Sequence, residues 1–158
     1  MILPIRLYGD PLLREKCKEI DGFDYPIYHF INNMFNTMRQ SYAIGLAAPQ
    51  VGKNLKIFLI DTSTFIIDKE ENKSKRVFIN PEIVKNYGKT WIIKEGCLSL
   101  PDILAKIERY EFIKVRYYNE YLENCEEIFQ GLYSRIIQHE NDHIKGILFI
   151  DYLSLFKI

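Results

Sequence analysis

No stretch of this sequence stays apolar for anything near the roughly 20 residues a helix needs to cross a bilayer, which excludes a membrane-spanning helix. The opening Met1-Ile2-Leu3-Pro4-Ile5-Arg6 lacks the basic flank and long apolar core of a signal peptide. The protein is expected to stay where it is made, in the cytoplasm. Neither sign of charge is in excess, with 21 Lys and Arg against 21 Asp and Glu, so no net field draws the chain to nucleic acid or an anionic membrane. Small or ligand-like substrates fit that balance better. Cysteine is sparse and odd in number: Cys17, Cys97 and Cys125 have no paired spacing, which fits a reducing compartment better than a disulfide framework. Internal repeats, Pro-rich linkers and low-complexity boundaries are missing too, so residues 1–158 are expected to form one domain large enough to bury its own core.

What is present is patterned. Asp24 and Pro26 offer a helix start, and Ile27, Phe30, Ile31, Met34, Phe35 and Met38 follow at three- and four-residue spacing. They predict an amphipathic helix ending near Ser41, whose Met and aromatic stripe packs on a core. Residues 55–61, 76–84, 90–94 and 112–118 are rich in β-branched and aromatic side chains and predict strands, with 126–129 completing a hairpin. The mixed-charge run 68–75 reads as a solvated loop. Gly131 precedes a second helix, with Leu132, Ile136, His139 and His143 on one face, running to about Gly146. Strands followed by a late helix give an α+β class, the helix packed on the strands.

Histidine is as scarce as cysteine, at three residues, and two of the three stand four apart in His139-Glu140-Asn141-Asp142-His143. On a helix that spacing stacks both imidazoles on one face, so both can point at one ion, and Glu140 lies beside them as a proton acceptor. This is a metallohydrolase pattern that needs a third ligand. A metzincin would place His six residues after His143, but that residue is Phe149. A thermolysin-like enzyme would supply a downstream Glu, and none follows His143; only Asp151 remains there. His29 falls in the first helix, where a surface or core-edge role suits it. Upstream, Cys97 sits in Glu95-Gly96-Cys97-Leu98-Ser99-Leu100-Pro101, a turn-like end to an apolar strand. One Cys with two His leaves a fourth tetrahedral position open, which is a catalytic rather than a structural arrangement. Glu95 and Asp142 are candidates to orient the ligands or nearby basic groups, or else to form surface ion pairs.

Three segments, Ile44-Gly45-Leu46-Ala47-Ala48-Pro49-Gln50, Glu95-Gly96-Cys97-Leu98-Ser99 and Gln138-His139-Glu140-Asn141-Asp142-His143, together resemble the three motifs of the peptide deformylases, in the family's order and across most of the chain. The resemblance implies a deformylase α+β fold, with antiparallel sheets enclosing a central H-E-x-x-H helix. It implies hydrolysis of the N-formyl group from the formylmethionine of newly made proteins. The ligands would be Cys97, His139 and His143, holding Fe(2+) in the usual case, with Zn(2+), Ni(2+) or Co(2+) able to use the same set. Glu140 would move the proton, the Gln50 amide and Leu98 backbone N–H would face the developing oxyanion, and Gly45 would let substrate approach. Ile44, Leu132 and Ile136 are expected to wall a pocket for methionine. The implied partners are N-formylmethionyl nascent polypeptides, met in transient proximity to the ribosome, with neither direct nucleic-acid binding nor a membrane.

Two positions depart from the family pattern. Ala43 stands where the first motif commonly opens with Gly, which predicts strain if that residue needs a positive φ. Seven residues after Cys97, where many bacterial members carry Arg, this chain has Leu104.

Overall fold

The computed structural model describes residues 1–22, 24–63 and 74–154. Helix α1 spans Tyr25–Ser41. Its start is set as the sequence predicts: Asp24 caps it by accepting the Ile27 N–H (3.1 Å), and Pro26 falls in the first turn. It ends at Tyr42, which takes the left-handed conformation at φ 56°. Positive φ thus falls on Tyr42, and Ala43 escapes it. The strain predicted for the departure at Ala43 does not arise.

Five strands follow: β1 (Gly45–Ala47), β2 (Ile57–Asp61), β3 (Lys75–Cys97), β4 (Leu100–Tyr118) and β5 (Asn124–Gln130). They pair antiparallel in the order β1-β2-β3-β4-β5. Helix α2 spans Gly131–Ile144, and a short helix α3 spans Asp151–Ser154. The α+β class holds, but several element bounds differ from expectation. The strands predicted at 76–84 and 90–94 are one long strand, β3, with register shifts and a positive φ at Gly88 accommodating the polar stretch between them. Most of the mixed-charge run, 68–73, lies outside the described residues.

Strand β2 shows how the layers assemble. Its side chains alternate, so Ile57 and Leu59 face a cluster with Phe30, Ile31, Met34 and Met38 of α1. Phe58 and Ile60 face the other way, into a cluster with Phe78, Val115, Ile136 and Ile137. One strand, buried on both faces, thereby separates α1 from α2. Helix α2 is fastened to β4 by Gln138, whose Nε2 donates to the Tyr110 carbonyl (2.8 Å) and whose Oε1 accepts the Tyr110 N–H (3.3 Å). A third cluster, Leu100, Ile107, Leu148 and Phe149, closes the end of the β3–β4 hairpin beside Cys97.

Candidate metal centre and active site

Helix α2 delivers His139 and His143 one turn apart, with ring centroids 5.0 Å apart. The end of β3 delivers Cys97, and His143 Nε2 lies 3.3 Å from its Sγ. The ligand atoms of Cys97, His139 and His143 all fall within 4.8 Å of one another. A thiolate and two imidazoles gathered this closely fit one divalent transition-metal ion. Asp151 is engaged elsewhere, accepting from Arg14 Nη1 (2.6 Å) and the Leu148 N–H (3.0 Å). His29 is exposed and stacks on Tyr25.

The imidazoles are held differently. His143 is buried; burial, then the positive charge of His139 and Arg109, keeps it well below its ordinary pKa and so neutral. At His139 burial also opposes protonation, but contacts with Cys97 and Glu95 outweigh it and raise the pKa. Glu95 Oε1 lies 2.9 Å from His139 Nδ1, which leaves Nε2 as the ligand atom. Burial alone would raise the Glu95 pKa, yet bonds from His139 and Arg109 hold it well below the usual carboxylate range.

Glu95 and Asp142 take the orienting role expected of them, on two arginines that the sequence did not single out. Arg109 grips the carboxylate with two bonds, Nε to Oε2 (2.6 Å) and Nη2 to Oε1 (2.9 Å), and extends Nη1 to Asp142 (2.9 Å). Tyr152 of α3 donates to the same Asp142 oxygen (2.7 Å). Arg135 adds a second cation on Glu95 Oε2, donates to the carbonyls of Ile107 and Trp91, and lays its guanidinium over the Trp91 ring at 4.5 Å. Both arginines are about 4% exposed. Spacing could have hinted only at Arg135, which lies four residues before His139 on the same helix.

Glu140 is 5% exposed, its Oε1 has no hydrogen-bond partner, and burial pushes its carboxyl up to about 7. Gly45 of β1 faces it so closely that a Cβ at residue 45 would overlap Glu140 Oε2. Gln50 lies in the 3-10 turn Ala48–Val51. The Ala47 N–H donates to its Oε1 (3.0 Å), which turns Nε2 toward Cys97 Sγ (3.3 Å) and Ser99 Oγ (3.2 Å). Ser99, fully buried, was not singled out by the sequence.

These groups meet at a cavity of about 600 Å³ whose lining includes Ile44, Gly45, Gln50, Cys97, Leu98 and Glu140. His139, Leu132 and Ile136 line it as well. Ile136 is buried in the wall, whereas Leu132 is 41% exposed and sits at the rim.

An H-E-x-x-H helix laid against an antiparallel sheet, with a cysteine from the sheet facing both histidines, defines a metal-dependent hydrolase. The polypeptide deformylase family model matches residues 2–157. The chain is 48% identical to the peptide deformylase of Karelsulcia muelleri, covering 99% of this chain and 81% of that one. It is 46% identical to that of Christiangramia forsetii, over 99% and 84%. The crystal structure of peptide deformylase from Thermotoga maritima superposes with a TM-score of 0.87 at 39% identity, over 96% of this chain and 97% of that one. The chain belongs to the peptide deformylase family, metal-dependent enzymes that remove the N-formyl group from nascent proteins.

Proposed function

We propose that residues 1–158 act as one catalytic domain that hydrolyses the formamide of N-formylmethionyl nascent polypeptides, with Cys97, His139 and His143 holding one divalent ion. The observation that carries this reading is the convergence of three ligand atoms within 4.8 Å beside a buried carboxyl whose Oε1 is unpartnered. The ion, when bound, acidifies a water and polarises a carbonyl oxygen. Ferrous iron is the metal we assign, from the family resemblance; zinc, nickel and cobalt suit the same donors, because ligand type alone does not separate them.

Glu140 takes the proton of the attacking water at Oε1 and returns it to the departing amine nitrogen, so water and formamide become formic acid and a free amine. A carboxyl near 7 suits both transfers at neutral pH. Gln50 Nε2, fixed in direction by the Ala47 N–H, donates to the formyl oxygen as it becomes negative, with the Leu98 backbone N–H as second donor. Ile44 and Ile136 receive the methionine side chain, and Leu132 closes over it at the rim. Strand β1 is at the edge of the sheet, and Gly45 on it leaves room for an extended peptide to pair as an added strand.

Such a substrate places the enzyme in the cytoplasm, in transient proximity to the ribosome. No helix of the described residues is long and apolar enough to cross a membrane. Protein loaded anaerobically with iron or nickel is expected to release formate from formyl-Met-Ala-Ser. Glu140→Ala is expected to abolish turnover while the protein keeps its metal. A native, metal-loaded enzyme that releases no formate sinks the reading.

A further inference from the structure

We propose that Ile103 and Leu104 form an apolar lip that selects formylated peptides carrying a large apolar side chain in one of the two positions after methionine. The proposal rests on the deformylase reading and names a substrate preference within it.

The lip comes from a break in strand register. Cys97 pairs with Leu100 and Glu95 with Ala105, so residues 101–104 of β4 stand opposite the single Gly96 of β3. Asp102 takes a left-handed φ of 63° within that excursion. In a regular strand, successive side chains point to opposite faces. Here Ile103 and Leu104 both line the active-site cavity and both remain exposed, at 43% and 68%. Leu104 is located by a close contact: its Cδ2 is 3.0 Å from where a Cβ on residue 96 would sit. It therefore rests on bare backbone one residue from Cys97.

Ile93, 41% exposed, lines the same cavity from β3. Three large apolar side chains thus remain in solvent while lining the one cavity. Contiguous exposed apolar surface of this kind marks a binding surface, whereas a single exposed residue does not. The charged residues of the mouth argue against an acidic or basic preference. Lys94 and Asp102 both line it and offset one another. The occupant follows from continuity with the site. A peptide with methionine in the cavity rises about 3.3 Å per residue as an added strand, so its next two residues lie within roughly 7 Å of the methionine. Tyr42, 87% exposed, lines the cavity as well and offers them a further apolar contact.

The test uses the metal-loaded enzyme and peptides formyl-Met-X-Ser and formyl-Met-Ala-X, with X as Leu, Ser, Asp or Lys, measuring kcat and KM separately. Leucine is expected to exceed serine, aspartate and lysine in kcat/KM by about 10-fold in at least one position, the low end for an apolar contact. The gain should appear in KM, because the lip touches substrate and transition state alike. Leu104→Ser is expected to erase the preference. Ile128→Ser, which removes a comparably exposed apolar residue from β5 outside the cavity, is expected to leave it intact. Formate release with flat ratios across X overturns the lip alone, as does a preference that survives Leu104→Ser. Failure of every peptide to release formate overturns both the lip and the deformylase reading.

Discussion

Glu140 Oε2 occupies the volume that a Cβ on residue 45 would need. Glycine on β1 and glutamate on α2 are therefore complementary in shape, and the carboxylate reaches the cavity because the facing strand yields the space. The φ of Gly45 is not in the left-handed region, so an alanine there would keep its backbone and displace the carboxylate instead. Gly45→Ala is expected to lower kcat by about 100-fold, the scale of a 1 Å misplacement, and to cost about 1–3 kcal/mol from overpacking. Formate release together with urea denaturation measures both. Unaltered turnover would show that the carboxylate has room to move.

Gln50 holds a fixed direction because the Ala47 N–H uses its oxygen. Gln50→Ala removes the donor aimed past Cys97 and is expected to reduce kcat by roughly 100- to 1000-fold, as loss of an oxyanion donor does, with a smaller change in KM. Steady-state kinetics decides. A loss confined to KM would make Gln50 a binding residue only.

The carboxylate of Glu95 neutralises Arg109 and Arg135 and orients His139. Glu95→Gln leaves two buried cations facing a neutral amide, which is expected to cost about 3–5 kcal/mol of stability. Loss of the His139 contact is expected to weaken metal binding by about 10- to 100-fold. Competition against a chelator measures the second effect independently of activity.

Burial, followed by the charge of Glu15, pushes the Cys17 thiol from 9.0 up to about 11. Raising a thiol's pKa keeps it protonated to higher pH, so at pH 8 its thiolate population falls by about 100-fold. Iodoacetamide is expected to modify Cys17 correspondingly slowly in the folded protein and at an ordinary rate after unfolding, as followed by peptide mass mapping. Rapid labelling of Cys17 in the folded state would contradict this.

Features carried by local rules were legible in the sequence. Asp24 and Pro26 announced α1, and the spacing of His139 and His143 announced a shared ion. Strand β1 was not legible, since Gly-Leu-Ala is three residues long, has no β-branched side chain and is defined only by its pairing with β2. The continuity of β3 was hidden because Asn86, Gly88 and Lys89 imitate a loop, although β4 supplies partners on both sides of them. Arg109 and Arg135 look like surface charges in the sequence. Their burial depends on Glu95, 14 and 40 residues away, reached through strand pairing and helix packing that no local pattern encodes. The lip at Ile103 and Leu104 was hidden for the same reason, because an excursion is visible only against the strand it departs from.

The chain has one tryptophan, and it lies beneath the guanidinium of an arginine that itself holds Glu95. Indole fluorescence from the unlabelled enzyme thus originates at a single place, one side chain removed from the carboxylate that orients a metal ligand. Loading the metal is expected to change that emission in the native protein, a readout that needs no dye and no engineered probe.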